Sequence, residues 1–263
     1  MNTRREVINR LAALDRPAPR WVPAASVFAL AAAWELVSRS GLVSEMFLPA
    51  PTAILTTAWE MLKSGEITTN LQASLLRIAA GFLIGGALGV AIGLILGFSK
   101  LAEAAGNTVI HILYPIPKLA LLPLIILWLG IGEVSKVSII GLGVFFPVVI
   151  NTYSGVKNVD PLLIKVAVSF KATRSSIIRK VILPGALPVI FAGLKLAAGT
   201  ALLLLIAAEM IAAKEGIGAM ILHYGDLMLT TKLMVGILVL SVLGLLFNRL
   251  LDWLEWRVVV WKR

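Results

Sequence analysis

Residues 78–99 read IAAGFLIGGALGVAIGLILGFS, 22 consecutive residues without a charged side chain. A helix of about 20 apolar residues spans the roughly 30 Å hydrocarbon core of a bilayer, so this stretch predicts a transmembrane helix. Five glycines recur in it at four-residue intervals: Gly81, Gly85, Gly89, Gly93 and Gly97. Small residues let helix backbones approach closely in lipid. The stripe therefore predicts close packing on another helix of the same subunit, the alternative being packing across a twofold axis.

The composition of the whole chain agrees with a lipid environment. Of its 263 residues, 59% are hydrophobic and 14% are charged, and the mean hydropathy is +0.94. An ordinary soluble domain is roughly 45–50% apolar and about 25% charged. One soluble core of this size could not bury so much apolar surface, which excludes a cytosolic enzyme. The absence of cysteine excludes disulfides, thiolate nucleophiles and cysteine-based metal sites.

Six segments are apolar and long enough to cross a membrane, which predicts an all-α, polytopic membrane protein with six transmembrane helices. They are residues 21–38, 75–98, 104–129, 137–153, 187–213 and 233–251. The first follows a basic leader, but Trp34 and Glu35 directly follow its small residues, so we interpret it as an uncleaved helix. The third contains three prolines and Lys118, which predicts a bent or broken helix, or else two short segments.

The distribution of basic residues predicts the orientation of the chain. There are 24 Lys and Arg against 14 Asp and Glu, a net charge of +10. With the N-terminus in the cytoplasm, 16 of the basic residues fall on the cytoplasmic side and six on the other side. Cytoplasmic loops of membrane proteins carry such an excess. We therefore expect an inner-membrane protein with both termini in the cytoplasm, and no binding of nucleic acid.

The predicted organisation is a single transmembrane domain over residues 1–263. Its cytoplasmic parts are an N-terminal segment (1–20), a long loop (154–186) and a C-terminal segment (250–263). Residues 52–63 carry apolar side chains at helical spacing behind Thr52, a good N-cap residue. This pattern predicts an interfacial helix on the outer membrane surface, or a helix that caps the bundle.

The loop at residues 154–186 predicts two short amphipathic helices. The first begins with Asp160 as N-cap and Pro161 at the first helical position. Its apolar residues Leu162, Leu163, Val166, Ala167 and Phe170 share one face. The second starts after residue 173 and ends at Leu183-Pro184-Gly185. Exposed apolar faces need a partner, so we expect a docking surface for a cytoplasmic protein; folding back under the bundle is the alternative.

This order of helix, turn, helix and Leu-Pro resembles the coupling loop of ABC importer permeases, Glu-Ala-Ala-x3-Gly-x9-Ile-x-Leu-Pro. Counted back from Leu183-Pro184, Lys165 stands at the family's Glu position and Lys171 at its Gly position. A left-handed backbone there costs a non-glycine residue about 1–2 kcal/mol, so we expect a variant turn. The resemblance implies these ATPase-coupling residues: Lys165, Val166, Ala167, Phe170, Lys171, Ala172, Arg174, Leu183 and Pro184.

Other stretches resemble the permeases for aliphatic sulfonates, taurine and nitrate. They are residues 47–51, 115–124, 127–130 and 182–188, and Ala208-Glu209 followed by Gly216-Ile217-Gly218. The resemblance implies a homodimer of permease chains, two cytoplasmic ABC ATPase subunits, an extracytoplasmic solute-binding protein and a small anionic solute. No phosphate-binding loop occurs in this sequence. We therefore expect no cofactor and no catalysis in this chain, with ATP and Mg on the partner ATPase.

Ionisable residues inside spans are candidates for the translocation path, because charges at membrane depth are costly. Lys118, with Pro117 and Leu121 beside it, is the first candidate; it could instead snorkel or pair with a carboxylate. Glu209 is a candidate gate or packing residue. Lys195 is also a candidate for the path, although a structural ion pair is favoured there over substrate contact. His111 and His223 have no second histidine at metal spacing, so no metal is expected.

Two other classes of protein compete with an importer permease. A secondary transporter driven by an ion gradient often contains inverted repeats, and no repeat is evident in this sequence. An intramembrane enzyme requires a nucleophile–base pair or paired metal ligands within its spans, and neither is evident. Alternating access driven by a partner ATPase is therefore the main expectation.

Overall fold

The computed structural model describes residue 19 and residues 21–262, and within these it is all helical. The predicted all-α fold class is thus confirmed. Most of the predicted N-terminal segment, residues 1–20, lies outside the described residues. The chain divides into two compact units, Met1–Thr56 and Thr57–Arg263.

The first unit contains helix α1, Val22–Arg39, and the beginning of α2, Pro51–Lys63. Glu35 joins the two, because its carboxylate pairs with Arg39 at 2.5 Å and accepts a hydrogen bond from the Thr52 hydroxyl at 2.7 Å. Thr52 was expected to be the N-cap of α2, and that expectation is wrong. Helix α2 already begins at Pro51, and the Thr52 hydroxyl is hydrogen-bonded to Glu35. The Ser38 hydroxyl donates to the Leu48 carbonyl at 2.8 Å. This hydrogen bond joins the end of α1 to the segment that leads into α2.

The second unit contains the remaining helices. In chain order they are α3 (Glu66–Phe98), α4 (Lys100–Leu113), a 3-10 turn (Lys118–Leu121), α5 (Leu122–Leu129), α6 (Glu133–Lys157), α7 (Pro161–Ser169), α8 (Arg174–Ile177), a π turn (Ile178–Ile182), α9 (Leu183–Ala212), α10 (Ile217–Asp226), α11 (Thr230–Val258) and a 3-10 turn (Val260–Lys262).

Within the described part of the chain, four helical stretches are long and apolar enough to cross a membrane. They are Glu66–Phe98, Glu133–Lys157, Arg174–Ala212 and Thr230–Val258. A fifth span results if Lys100–Leu113 and Lys118–Leu129 are counted together. Helix α1, at the place of the first expected span, is not among these five and carries Glu35 and Arg39 within its 18 residues.

The third expected span is broken. Its two helical parts, Lys100–Leu113 and Lys118–Leu129, meet at an angle of 84°. The break falls at residues 114–117, where Pro115 and Pro117 lack the N–H that an uninterrupted helix needs. The bend expected from these prolines is therefore present.

The second helix of the 154–186 loop does not end at Leu183-Pro184-Gly185, and that expectation is wrong. Residues 174–212 are helical throughout, because the π turn leads directly into α9. The Leu183 N–H donates to the Ile178 carbonyl, five residues back. This wider spacing changes the hydrogen-bond register just before Pro184, which has no donor of its own, so the helix continues past the proline.

Helices α3 and α6 run parallel and touch along their backbones. A Cβ atom built on Gly85 would lie 2.2 Å from the Gly141 carbonyl oxygen, closer than real atoms approach. At the two ends of the stripe, Cβ atoms on Gly81 and Gly97 would lie 2.6 Å from side-chain atoms of Ile140 and Val156. Every glycine of the stripe thus faces another helix of the same chain.

Helix α6 lies between α3 and α9 and forms the centre of the core. Its Ile139, Ile140 and Val144 are fully buried. Helix α9 runs antiparallel to α6, since Gly193 faces Asn151 and Gly143 faces Leu204. Because hydrocarbon gives little hydrophobic drive for helix association, close van der Waals contact of this kind must hold the bundle together.

Replacing Gly85 by Ala should destabilise the fold, because the added methyl group has no room beside the Gly141 carbonyl. Overpacking of this kind costs about 1–3 kcal/mol. Gly86 is the matched control: its added methyl would lie 3.6 Å from Leu194, an ordinary contact. We expect a lower thermal unfolding midpoint for Gly85→Ala in detergent, and no decrease for Gly86→Ala. Equal midpoints would refute close packing at Gly85.

Candidate functional site

The loop at residues 158–182 presents an exposed apolar surface. The Asp160 carboxylate accepts from the Leu162 N–H at 2.8 Å and begins α7, with Pro161 in the first turn. Phe170 at the end of α7 is 83% exposed, and Leu162 is 63% exposed. The same loop carries five cationic side chains, all of them exposed: Lys165, Lys171, Arg174, Arg179 and Lys180.

Helix α7 ends in a left-handed turn at Lys171. Its φ of 54° is one of two positive values at non-glycine residues in the described chain. The Lys171 N–H donates to the Val168 carbonyl at 2.8 Å, and the Ala172 N–H donates to the Ala167 carbonyl at 3.1 Å. This pair of bonds is a Schellman motif, whose left-handed position normally holds glycine. The expected variant turn is therefore absent: the turn keeps the shape that glycine favours, with lysine in place.

The other residues assigned to this surface differ in exposure. Lys165, Val166 and Arg174 are exposed, whereas Ala167 and Ala172 are half-buried. Leu183 and Pro184 are half-buried in the first turn of α9, in continuation of α8 and the π turn. The exposed surface is therefore α7 and its Schellman turn, and the Leu-Pro pair lies at the root of the loop.

Lys118 lies at the break between α4 and α5. Its ammonium group donates to the Tyr114 carbonyl. It also lies 4.6 Å from the centre of the Tyr114 ring and 4.9 Å from that of Phe146, near the middle of α6. Among the described residues, Lys118 forms none of the ion pairs. Of its predicted neighbours, Pro117 is exposed and Leu121 packs on the core.

A buried polar cluster lies at the other end of the bundle, centred on Arg77 and Glu209. The Arg77 Nη1 atom lies 2.8 Å from Glu209, whose side chain is fully buried. The Nε and Nη2 atoms of Arg77 donate two further hydrogen bonds to the Glu133 carboxylate, of 2.7 and 2.9 Å. Lys136 pairs with the same Glu133 at 2.7 Å. Two cations and two carboxylates thus neutralise one another where α3, α6 and α9 meet.

The Gly216-Ile217-Gly218 motif wraps around Glu209. The Glu209 carboxylate accepts from the Ser74 hydroxyl at 2.7 Å and from the Gly218 N–H at 2.8 Å. Gly216 has a φ of 135°, and a Cβ atom there would lie 2.4 Å from the Glu209 carboxyl carbon. The two glycines and the acidic residue are therefore one structural unit, which fixes the start of α10. The predicted role of Glu209 as a gate stays a prediction.

A second contact fastens α10 to the start of α3. The buried Tyr224 hydroxyl donates to the Glu66 carboxylate. Burial, together with that carboxylate, raises the pKa of Tyr224 to about 12. The phenol therefore remains a proton donor at neutral pH and keeps this contact.

Lys195 is paired within the bundle. Its ammonium group on α9 lies 2.6 Å from Asp252 and 2.5 Å from Glu255, both on α11. A structural ion pair of this kind is what the sequence favoured over substrate contact at Lys195. It joins α9 to α11.

Sequence reasoning did not find the partners of Glu209. In the sequence, Arg77 is one of the six basic residues assigned to the non-cytoplasmic side, and no motif marks Ser74 or Glu133. The available signal was position: Arg77 directly precedes the long uncharged stretch, and Glu133 is the first residue of α6. Charged residues at the same end of neighbouring spans are close in depth, but sequence alone does not show which spans are neighbours. Within the described residues, no group of three or more His, Asp or Glu side chains could hold a metal ion.

Long apolar helices, an exposed helical loop at one end and paired charges at the other are features of a membrane transport component. The chain belongs to the family of binding-protein-dependent transport system inner membrane components, whose model matches residues 85–260. It is 41% identical over 231 residues to the putative aliphatic sulfonates transport permease protein SsuC of Bacillus subtilis (strain 168), covering 88% of this chain and 84% of that one. This confirms the expected family.

Two further comparisons agree. The chain is 34% identical to the taurine transport system permease protein TauC of Escherichia coli (strain K12), over 87% of this chain and 85% of that one. A chain in the inward-facing structure of the MetNI methionine ABC transporter shares the fold, with a TM-score of 0.61 at 20% identity, covering 72% of this chain and 94% of that one.

Replacing Arg77 by Gln should destabilise the fold strongly, because it leaves the buried Glu209 charge without a cation. Removing one partner of a buried pair costs about 3–5 kcal/mol. Arg39→Gln is the control, since Arg39 is 65% exposed in its pair with Glu35 and should contribute less than about 1 kcal/mol. Unfolding of the purified chain in detergent measures both.

Adding Glu209→Gln to Arg77→Gln should recover part of the lost stability, because the buried charge is then removed as well. Wild-type stability in the single variant Arg77→Gln would show that charge compensation does not hold this end together.

Proposed function

We propose that this chain is the permease subunit of an ATP-driven importer for a small sulfonate-type anion. The proposal is supported by family membership and by identity of 34–41% to permeases named for aliphatic sulfonates and taurine. The chain itself performs no catalysis and binds no cofactor. It acts with two cytoplasmic ABC ATPase subunits that hold ATP and Mg, an extracytoplasmic solute-binding protein and a second, identical permease chain.

The observation that carries the proposal is the α7 surface. On α7 and its turn, Leu162, Val168 and Phe170 are 63%, 58% and 83% exposed, in a loop that also carries exposed cations. An apolar patch of this kind outside the membrane favours a protein partner. With both termini in the cytoplasm, α7 also faces the cytoplasm. Movement of α7 by the ATPase is transmitted directly to the bundle, since the second half of the loop continues into α9 without a break.

Reversing the charge at Lys165 or Arg174 should reduce association with the ATPase. In the proposed complex both exposed side chains face the partner, so Lys165→Glu and Arg174→Glu should each lower copurification of the ATPase at least threefold. Lys63→Glu, at the end of α2, is the matched control and should leave copurification unchanged. Unchanged association in both loop variants would place the contact elsewhere.

A broader test measures the coupling itself. The tagged chain should copurify an ATPase, and vesicles should take up taurine or ethanesulfonate only with ATP and the solute-binding protein. A chain that never brings down an ATPase, and transports without ATP, would be a secondary transporter driven by an ion gradient, and the proposal would fall.

Within the proposed importer, Lys118 belongs to the translocation path. Its charge lies beside the middle of α6, at a break that exposes backbone polar groups, and such backbone in a membrane must line protein or a water-filled cavity. The electrons of two aromatic rings and one carbonyl stabilise the cation without neutralising it. A passing sulfonate can therefore supply the counter-charge.

Replacing Lys118 by Met should lower ATP-driven uptake of taurine at least tenfold while leaving ATPase association intact. Lys118→Arg should retain most of the uptake, because it keeps the charge. Lys214→Met, at an exposed loop position, is the control for loss of a cation. Full uptake by Lys118→Met would exclude a role for this charge in the path.

A further inference from the structure

An apolar groove of about 460 Å³ runs along the outside of the second unit, between the end of α2, α3 and α11. All twelve side chains that line it are apolar: Ala58, Leu62, Ile67, Leu71, Leu75, Leu238, Val239, Val242, Leu243, Leu246, Phe247 and Leu250. On α11 the lining extends from residue 238 to residue 250, about 18 Å at 1.5 Å per residue. The groove is thus a long channel of hydrocarbon character on the surface of two spanning helices.

The α11 residues that line the groove lie on a helix face that continues to Arg257, a cation near the end of α11. Residues 239, 243, 246, 250, 253 and 257 follow one another at spacings of three and four, which places them on the same helix face. The last two are Trp253, which is 50% exposed, and Arg257. The Arg257 guanidinium lies 5.3 Å from the centre of the Trp253 ring.

The acidic residues of this helix end do not neutralise that face. Asp252 and Glu255 point to the opposite side of α11, where both pair with Lys195 of α9. Arg257 therefore presents an exposed cation, flanked by Trp253 and Trp256, at the point where a spanning helix leaves the bilayer. Tryptophan is enriched at that depth, and a guanidinium matches the geometry of a phosphate.

We infer that the groove binds one anionic phospholipid, with an acyl chain along α11 and the headgroup phosphate on Arg257. The apolar length suits an acyl chain, the rings of Trp253 and Trp256 suit the glycerol region, and the cation suits the phosphate. Lys63 lies at the opposite end of the groove, 5.2 Å from the centre of the Trp59 ring. It is the competing place for a headgroup, but it is the last residue of α2 and does not belong to the face of α11.

Native mass spectrometry of the full purified chain, titrated with dioleoylphosphatidylglycerol or dioleoylphosphatidylcholine, tests this site. The wild type should bind the glycerol lipid at least threefold more tightly than the choline lipid. Arg257→Gln should abolish that preference, and Lys63→Gln, the matched control, should keep it. A preference that survives Arg257→Gln, or that is lost only in Lys63→Gln, would overturn the assignment.

The acyl-chain part of the site is tested by filling the groove. Leu246→Trp should weaken binding of both lipids at least threefold; Leu246→Phe provides a milder change should the larger one fail to fold. Inorganic phosphate at millimolar concentration should not displace the lipid. Displacement by phosphate, or unchanged lipid binding in a folded Leu246 variant, would show an anion site on Arg257 without a lipid site.

Discussion

The backbone contact between α3 and α6 is the constraint on which the rest of the structure depends. In water, burial of side chains would hold two such helices together, but lipid tails are as apolar as leucine and give no comparable drive. Attraction must then come from many short contacts, which require the backbones to meet. The stripe from Gly81 to Gly97 allows this over four turns. Helix α6 becomes the buried centre of the bundle, and α9 packs on its other side.

The buried charged side chains of the described residues are neutralised locally. Arg77, Glu133, Lys136 and Glu209 form a closed group at one end, and Lys195 is matched by two carboxylates near the other. Such pairing avoids the cost of isolated charge in a poorly polar medium. Lys118 is different, since rings and a carbonyl surround it. In the proposed importer, that contrast is the reason for assigning Lys118 to the translocation path.

The sequence predicted much of this fold because lipid imposes strong rules. Three sequence features each favour one structure: the uncharged stretch at 78–99, the glycine stripe, and the prolines at 115 and 117. The structure contains the long helix, the close helix contact and the bend that they predict. What it could not predict were the partners. Arg77 and Glu209 are 132 residues apart, and only three-dimensional packing brings them together. The sequence did not predict that the helix continues through Leu183-Pro184, for a different reason. A π turn has no clear sequence signal, and a proline normally indicates the end of a helix.

The direction of the long helices has a consequence for how the chain crosses the bilayer. Helices α3 and α6 point the same way, so they begin at the same membrane face. The 34 residues that connect the end of one to the start of the other must therefore return across the whole thickness. Neither half of the broken pair is long enough to do so alone, because α4 has 14 residues and α5 has eight, about 21 Å and 12 Å of helix. By parity, the two halves together make one crossing, and the break between them lies within the bilayer.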